Sequence, residues 1–185
     1  MLRIFGTRNT QYSGSSCYRH VERLISKGKK VLIVSPYVDD YYAGFLLAKS
    51  PGRDIRLLSS SVDERVRRKL EGRIPRYRIA LYSIFMLLFE YLLYRIGAGV
   101  GYMLLYFMVI AGALFVISIP RRIKLKVPRN FVHAKLYVSE DEAIRGSANL
   151  TYKGLHKNIE HIEIVRDRKD VDSMRREFWR MWNSS

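Results

Sequence analysis

The stretch FVHAKLYVSEDEAIRGSANLTYKGLHKNIEHIEIV, residues 131–165, decides how this chain is read. Its first part, HAKLYV, is apolar apart from His133 and Lys135. Side chains two apart on a strand project to the same face, so the imidazole and the ammonium stand side by side. Gly146-Ser147-Ala148-Asn149 follows within one hairpin's length and adds a hydroxyl and an amide. A nucleophile or base, a fixed positive charge and two neutral polar groups form a set suited to a phosphoryl group. No carboxylate cluster of the kind that holds a metal stands beside them in the sequence.

The spacing resembles the signature of the phospholipase D superfamily, His-x-Lys-(x)4-Asp followed by Gly-Ser-x-Asn. That superfamily includes phospholipases, phosphatidyl transferases and nucleases. His133, Lys135, Ser147 and Asn149 match without adjustment. Counting from Lys135, the motif acid falls on Glu140, with Asp141 at the next position, and the choice between them stays open. Asn158-Ile159-Glu160 is similar to the family's Asn-x-Glu element. The resemblance implies that His133 attacks phosphorus and forms a covalent phosphohistidine. It implies that Lys135 and Asn149 hold the non-bridging oxygens, that Ser147 helps to place them, and that Glu160 orients the imidazole. It implies neither a metal nor another cofactor. A second His-x-Lys is missing from the sequence, and relatives with one copy build their site from two chains, so a homodimer is implied. His156 and His161 are the rival histidines; His161 alternates with Glu160 on a strand and faces away from it, while His156 falls in a loop.

Composition sets a second constraint. The formal net charge of +16 points to a polyanionic partner, either nucleic acid or an anionic membrane. One cysteine, Cys17, excludes an internal disulfide and any cysteine-rich metal site. The four histidines have no HExxH or CxxC companion, which argues against structural zinc. The N-terminal 30 residues carry charges throughout and show no apolar leader.

Residues 79–119 are almost wholly apolar, with Glu90 and Arg95 as their only charges, and they divide at Gly97-Ala98-Gly99. Each half has about the length that a bilayer's hydrocarbon core asks of a helix. The expectation is a two-helix transmembrane hairpin. Arg73, Arg76 and Arg78 precede it and Arg121, Arg122, Lys124 and Lys126 follow it. By the positive-inside bias both chain ends face the cytoplasm. The chain is thus expected to be an integral membrane protein with two spans, the lipid bilayer as a partner and a cytoplasmic catalytic domain.

The remaining sequence reads as one interrupted α/β unit. Cys17, Val21, Leu24 and Ile25 have helical spacing up to Gly28; VLIVSPYV, residues 31–38, is a buried strand; DIRLLS, residues 54–59, is a second. Ser61 with Glu64 suggests a capping box for a basic helix. Ile123 to Val127 alternates as a strand, and Val171, Met174, Phe178 and Trp182 give one apolar face to a closing helix. The expected fold is therefore α/β: a phospholipase D-like mixed sheet flanked by helices and interrupted by the hairpin. Residues 1–78 form its first part, 79–119 the hairpin, and 120–185 the second part with the His-x-Lys and Gly-Ser-x-Asn motifs. Three functions are compatible with the sequence: a metal-independent phosphodiesterase, foremost a nuclease; an enzyme of phospholipid head groups, hydrolase or phosphatidyl transferase; and a non-catalytic scaffold binding DNA or anionic lipid. Nucleic acid and phospholipid present the same phosphodiester, so the sequence leaves the substrate open.

Overall fold

A computed structural model of the chain describes residues 9–72, 76–95, 97, 99–118 and 123–185. They fall into two units, residues 1–71 with 121–185, and residues 72–120.

The first unit is organised by a mixed sheet. Its strands are β1 (Thr10–Gly14), β2 (Lys30–Val34), β4 (Asp54–Leu58), β6 (Lys124–Lys126), β7 (Leu136–Val138), β8 (Ala143–Gly146) and β9 (Glu160–Val165). Their order is β1-β9-β8-β7-β2-β4-β6. β2, β4 and β6 run parallel, while β7, β8, β9 and β1 continue the sheet antiparallel. β2 reads as an unbroken apolar run because it is central and covered on both faces. Val31 and Ile33 enter a core with Val21, Leu24 and Ile25 of helix α1 (Tyr18–Lys27) and Tyr42, Ala43 and Leu46 of helix α2 (Asp40–Lys49). Leu32 and Val34 enter the opposite core, closed by Val171, Met174 and Phe178 of helix α7 (Arg168–Asn183). The apolar face foreseen for the closing helix is the one it buries, and the Arg56 guanidinium lies 4.7 Å from the Trp179 ring at its margin.

Several local expectations need adjustment. The run at 31–38 is two strands, because Ser35 and Pro36 break it before β3 (Tyr37–Val38), which pairs with β5 (Ser61–Val62) in a separate small sheet. Ser61 therefore belongs to a strand. The N-cap of helix α3 (Glu64–Leu70) is Asp63, whose carboxylate accepts from Arg65 N at 2.8 Å. The edge strand β1 and the short helix α6 (Tyr152–His156) have no apolar signature in the sequence.

The apolar stretch is helical, as α4 (Arg76–Arg95) and α5 (Val100–Ser118), with Phe89 and Tyr106 4.6 Å apart between ring centroids. The expectation of a transmembrane hairpin at 79–119 is nevertheless corrected: among the described residues no helix is long and apolar enough to cross a membrane. In α4 the physical reason is charge: Glu90 and Arg95 interrupt its apolar residues. The two-span topology and the membrane location with a cytoplasmic catalytic domain fall with it. The flanking Arg73, Arg121 and Arg122 and the first eight residues lie outside the described residues.

Tyr137 links the central sheet to the motif region. Its ring is wholly buried and its hydroxyl donates to the Ala148 carbonyl at 2.8 Å, while burial pushes the phenol's pKa up and keeps it a donor. Tyr137→Phe strands that buried carbonyl without a partner. The expected loss is about 1–3 kcal/mol of unfolding free energy, read as a lower urea midpoint at unchanged slope.

Candidate active site

His133 and Lys135 lie on the extended segment that leads into β7, just before its first paired residue. Ser60 fixes that segment: its hydroxyl accepts from Val132 N at 2.8 Å and donates to Val132 O at 3.1 Å. His133 is exposed, whereas Lys135 is only 8% exposed. The Lys135 ammonium lies 2.9 Å from His133 Nε2 and 2.8 Å from the His133 carbonyl. A lysine ammonium can only donate, so Nε2 is the acceptor in this contact. Burial lowers the Lys135 pKa below the ordinary lysine value, and the negative charge of Glu160 works in the opposite direction.

The Gly-Ser-x-Asn turn is held by β9. A Cβ on Gly146 would sit 2.1 Å from the His161 carbonyl oxygen and 2.8 Å from Ile162 Cα, so the strands meet at a distance only glycine allows. The next residue exploits that approach. Ser147 N donates to His161 O at 2.9 Å, and Ser147 Oγ accepts from His161 N at 3.0 Å. The same hydroxyl donates to Glu160 Oε2 at 2.5 Å. The other carboxylate oxygen accepts from Asn158 Nδ2 at 3.0 Å. Glu160 is thus clamped by Ser147 and Asn158, and among the described residues no hydrogen bond joins it to His133. Asn149 contributes a buried side-chain oxygen with no partner among the described residues, an acceptor awaiting a donor.

Three residues without a motif signal position this turn. Ser35 donates to Tyr37 O at 2.7 Å and accepts from Leu150 N at 2.9 Å. Asp39 caps α2 through Tyr42 N at 3.0 Å and also accepts from Tyr152 N, at the start of α6, at 2.5 Å. Thr151 caps α6 through Gly154 N at 3.0 Å. The Ser-Pro break after β2 and an Asp one residue before a helix were the cues available.

The motif-acid candidates go elsewhere. Glu140 and Asp141 follow β7, whereas His133 precedes it, so they occupy opposite ends of the strand. Glu140 accepts from Lys30 N at 2.5 Å, and Arg175 of α7 donates to the carbonyls of Ser139 and Glu140 at 3.0 and 3.1 Å. Both acids border a cavity of about 620 Å³ with Lys30, Arg166 and Arg168. That cavity is the more voluminous one, yet it is remote along β7 from His133. A smaller cavity of about 430 Å³ reaches Lys135, with Gly146, His161 and Glu177 in its wall. The rival histidine His156 is locked between the rings of Tyr18 and Tyr152, 4.1 and 4.5 Å away, with its Nε2 3.1 Å from the Tyr42 hydroxyl.

A family model described as "Cardiolipin synthase, PLD-like domain" matches residues 110–182, which include every motif residue above. That stretch of the chain is similar to a phospholipase D-like domain. Among solved structures, the phospholipase D family member Nuc from Salmonella typhimurium aligns at TM-score 0.57 and 15% identity, covering 96% of each chain. NucT from Helicobacter pylori aligns at TM-score 0.57 and 10% identity, again over 96% of each. Phosphatidylserine synthase from Haemophilus influenzae Rd KW20 aligns at 0.53 and 15% identity, over 95% of this chain and 36% of that one. No curated protein sequence matches. The phospholipase D-like motif and the mixed α/β fold together support the phospholipase D superfamily.

Gly146→Ala tests how far the site depends on the β8–β9 approach. The methyl meets backbone, which cannot swing aside, so the strands must part. The expected cost is on the order of 3 kcal/mol in chemical denaturation. A variant as stable as wild type would refute the register that holds Ser147 and Glu160.

Proposed function

We propose that this protein is a phosphodiesterase that works through a covalent phosphohistidine on His133 in a site shared by two subunits, with nucleic acid as its substrate. The observation that carries the reading is the buried Lys135 ammonium bonded to Nε2 of an exposed His133. It makes Nε2 the acceptor of that bond and sets a positive charge beside it.

A phosphodiester entering the site offers its non-bridging oxygens to Lys135. The ammonium then turns from Nε2 to the phosphoryl group, and the freed lone pair attacks phosphorus. The P–N bond forms as the P–O bond to the leaving group breaks. In the partner subunit Lys135 has turned to the phosphoryl group and His133 enters protonated; it gives that oxygen its proton, then takes one from the water that cleaves the P–N bond. Lys135 and Asn149 offset the charge gathering on the non-bridging oxygens. Glu160 acts from behind, clamped by Ser147 and Asn158 and favouring the charged form of Lys135. The dimer supplies the second imidazole, since one chain holds a single His-x-Lys. The net charge of +16 suits a nucleic-acid backbone. The description of the matching family model favours one second reading, in which an alcohol replaces water and a phosphatidyl group is transferred.

His133→Ala should lower turnover by several orders of magnitude, with the fold retained because the side chain is exposed. Mixed with an equal amount of wild type, the variant should leave about a quarter of dimers with both imidazoles. Activity proportional to the wild-type fraction, measured on a nucleic-acid substrate in EDTA, would show independent sites.

The depressed pKa of Lys135 gives a second test. Activity requires the ammonium, so it should fall as pH rises through a value below that of an ordinary lysine. Glu160→Gln removes a charge that raises this pKa and should move the alkaline limb to still lower pH. Lys135→Arg, which stays charged, should abolish that limb while turning over more slowly. A limb unmoved in both variants would detach it from Lys135.

A further inference from the structure

Two large aromatic rings stand exposed beside the nucleophile, where burial would be expected for apolar side chains. Phe131 is 57% exposed and Tyr37 is 44% exposed. Their ring centroids are 6.0 Å apart, and Phe131 lies 6.1 Å from the His133 ring with its plane tilted by 29°. Neither ring is loosely tethered. Tyr37 sits in β3, paired with Ser61 of β5, and its carbonyl accepts from buried Ser35. Phe131 precedes Val132, which Ser60 grips through both its N–H and its carbonyl. The pair therefore forms a fixed platform whose one end is the catalytic imidazole.

We infer that Tyr37 and Phe131 stack unpaired bases and make the protein select single-stranded over duplex nucleic acid. The inference rests on the phosphodiesterase reading above and names the form of its substrate. Stacking uses the face of a base, which every nucleotide offers when unpaired and which a duplex keeps covered by its neighbours. A ring about 6 Å from His133 is at the distance of a nucleotide adjoining the scissile phosphate. The exposed Arg129, two residues before Phe131, and the overall charge of +16 supply attraction for the backbone. Aromatic faces beside a cationic surface are the combination by which single strands are bound without base-specific hydrogen bonds. A phospholipid head group has no flat π-face to match.

The test compares kcat/KM on a mixed-sequence DNA oligonucleotide and on its blunt duplex, with methyl p-nitrophenyl phosphate as a substrate lacking bases. Wild type should prefer the single strand at least tenfold, and Tyr37→Ala and Phe131→Ala should each reduce that preference by roughly tenfold. Tyr37→Phe and Phe131→Tyr, which keep the ring, should retain it, and Phe131→Leu, apolar without a π-face, should not. If the double alanine variant keeps the preference while the protein hydrolyses the small diester, the platform is wrong and the phosphodiesterase reading stands. If wild type cleaves neither small diester nor DNA, that reading fails. Fluorescence anisotropy of a labelled single strand then decides the platform: weaker binding by the double variant supports it, and equal binding overturns it. Conversion of a dimer to monomer in the double variant, seen by sedimentation, would make the rings a subunit contact and overturn it. So would a loss confined to phosphatidylglycerol vesicles.

Discussion

Everything in the candidate site hangs on how closely β8 and β9 approach at Gly146. A carbonyl oxygen of one strand occupies the space where a side chain of the other would begin. This contact fixes the register of the hairpin's last residues, and the register brings Ser147 against both backbone groups of His161 and the carboxylate of Glu160. Sliding the pairing by one residue would send Glu160 to the α7 face of the sheet and dissolve the clamp. The turn that continues from Ser147 carries Asn149 and is pinned on its far side by Tyr137, Ser35 and Asp39. The candidate-site residues of this turn are thus loop residues held by strands that cannot shift.

Lys135 shows how such rigidity serves reactivity. An ammonium with so little exposure loses hydration, and its depressed pKa records that loss. It is kept in place by two acceptors from a single residue, the ring nitrogen and the carbonyl of His133, with the charge of Glu160 nearby. A phosphoryl oxygen is a stronger acceptor than a neutral imidazole, so under the proposed function an arriving substrate would be the trigger for exchanging partners. The orphaned Asn149 oxygen has the opposite character: it is a buried acceptor that only a donor can complete.

The acids following β7 illustrate a motif residue whose place is structural. Glu140 bonds to the first residue of β2, and Arg175 ties the same turn to α7. The turn therefore joins sheet to helix at the end of β7 away from His133. The apolar segment teaches a related lesson about composition. Helices did form there, with Glu90 and Arg95 in α4, and among the described residues none is long and apolar enough to span a bilayer.

What the sequence determined by itself was local. The alternation of His133 and Lys135, the glycine before Ser147, the double-sided apolar run of β2 and the helical stripe of α7 are periodicities, and periodicity is set by backbone geometry that any segment carries with it. These sufficed for a mixed α/β fold and for naming the residues of the candidate site. The tertiary structure alone decided which of them touch. Ser35 and Asp39 reach the end of the Gly-Ser-x-Asn turn across long intervals of sequence, and Glu160 turned to Ser147 and Asn158 rather than to His133. Tyr37 and Phe131 look in the sequence like ordinary core aromatics, and only the folded chain leaves them exposed beside the imidazole. The physical reason is that hydrogen bonds and ring contacts between distant segments depend on where the sheet brings its strand ends, and no local spacing encodes that position.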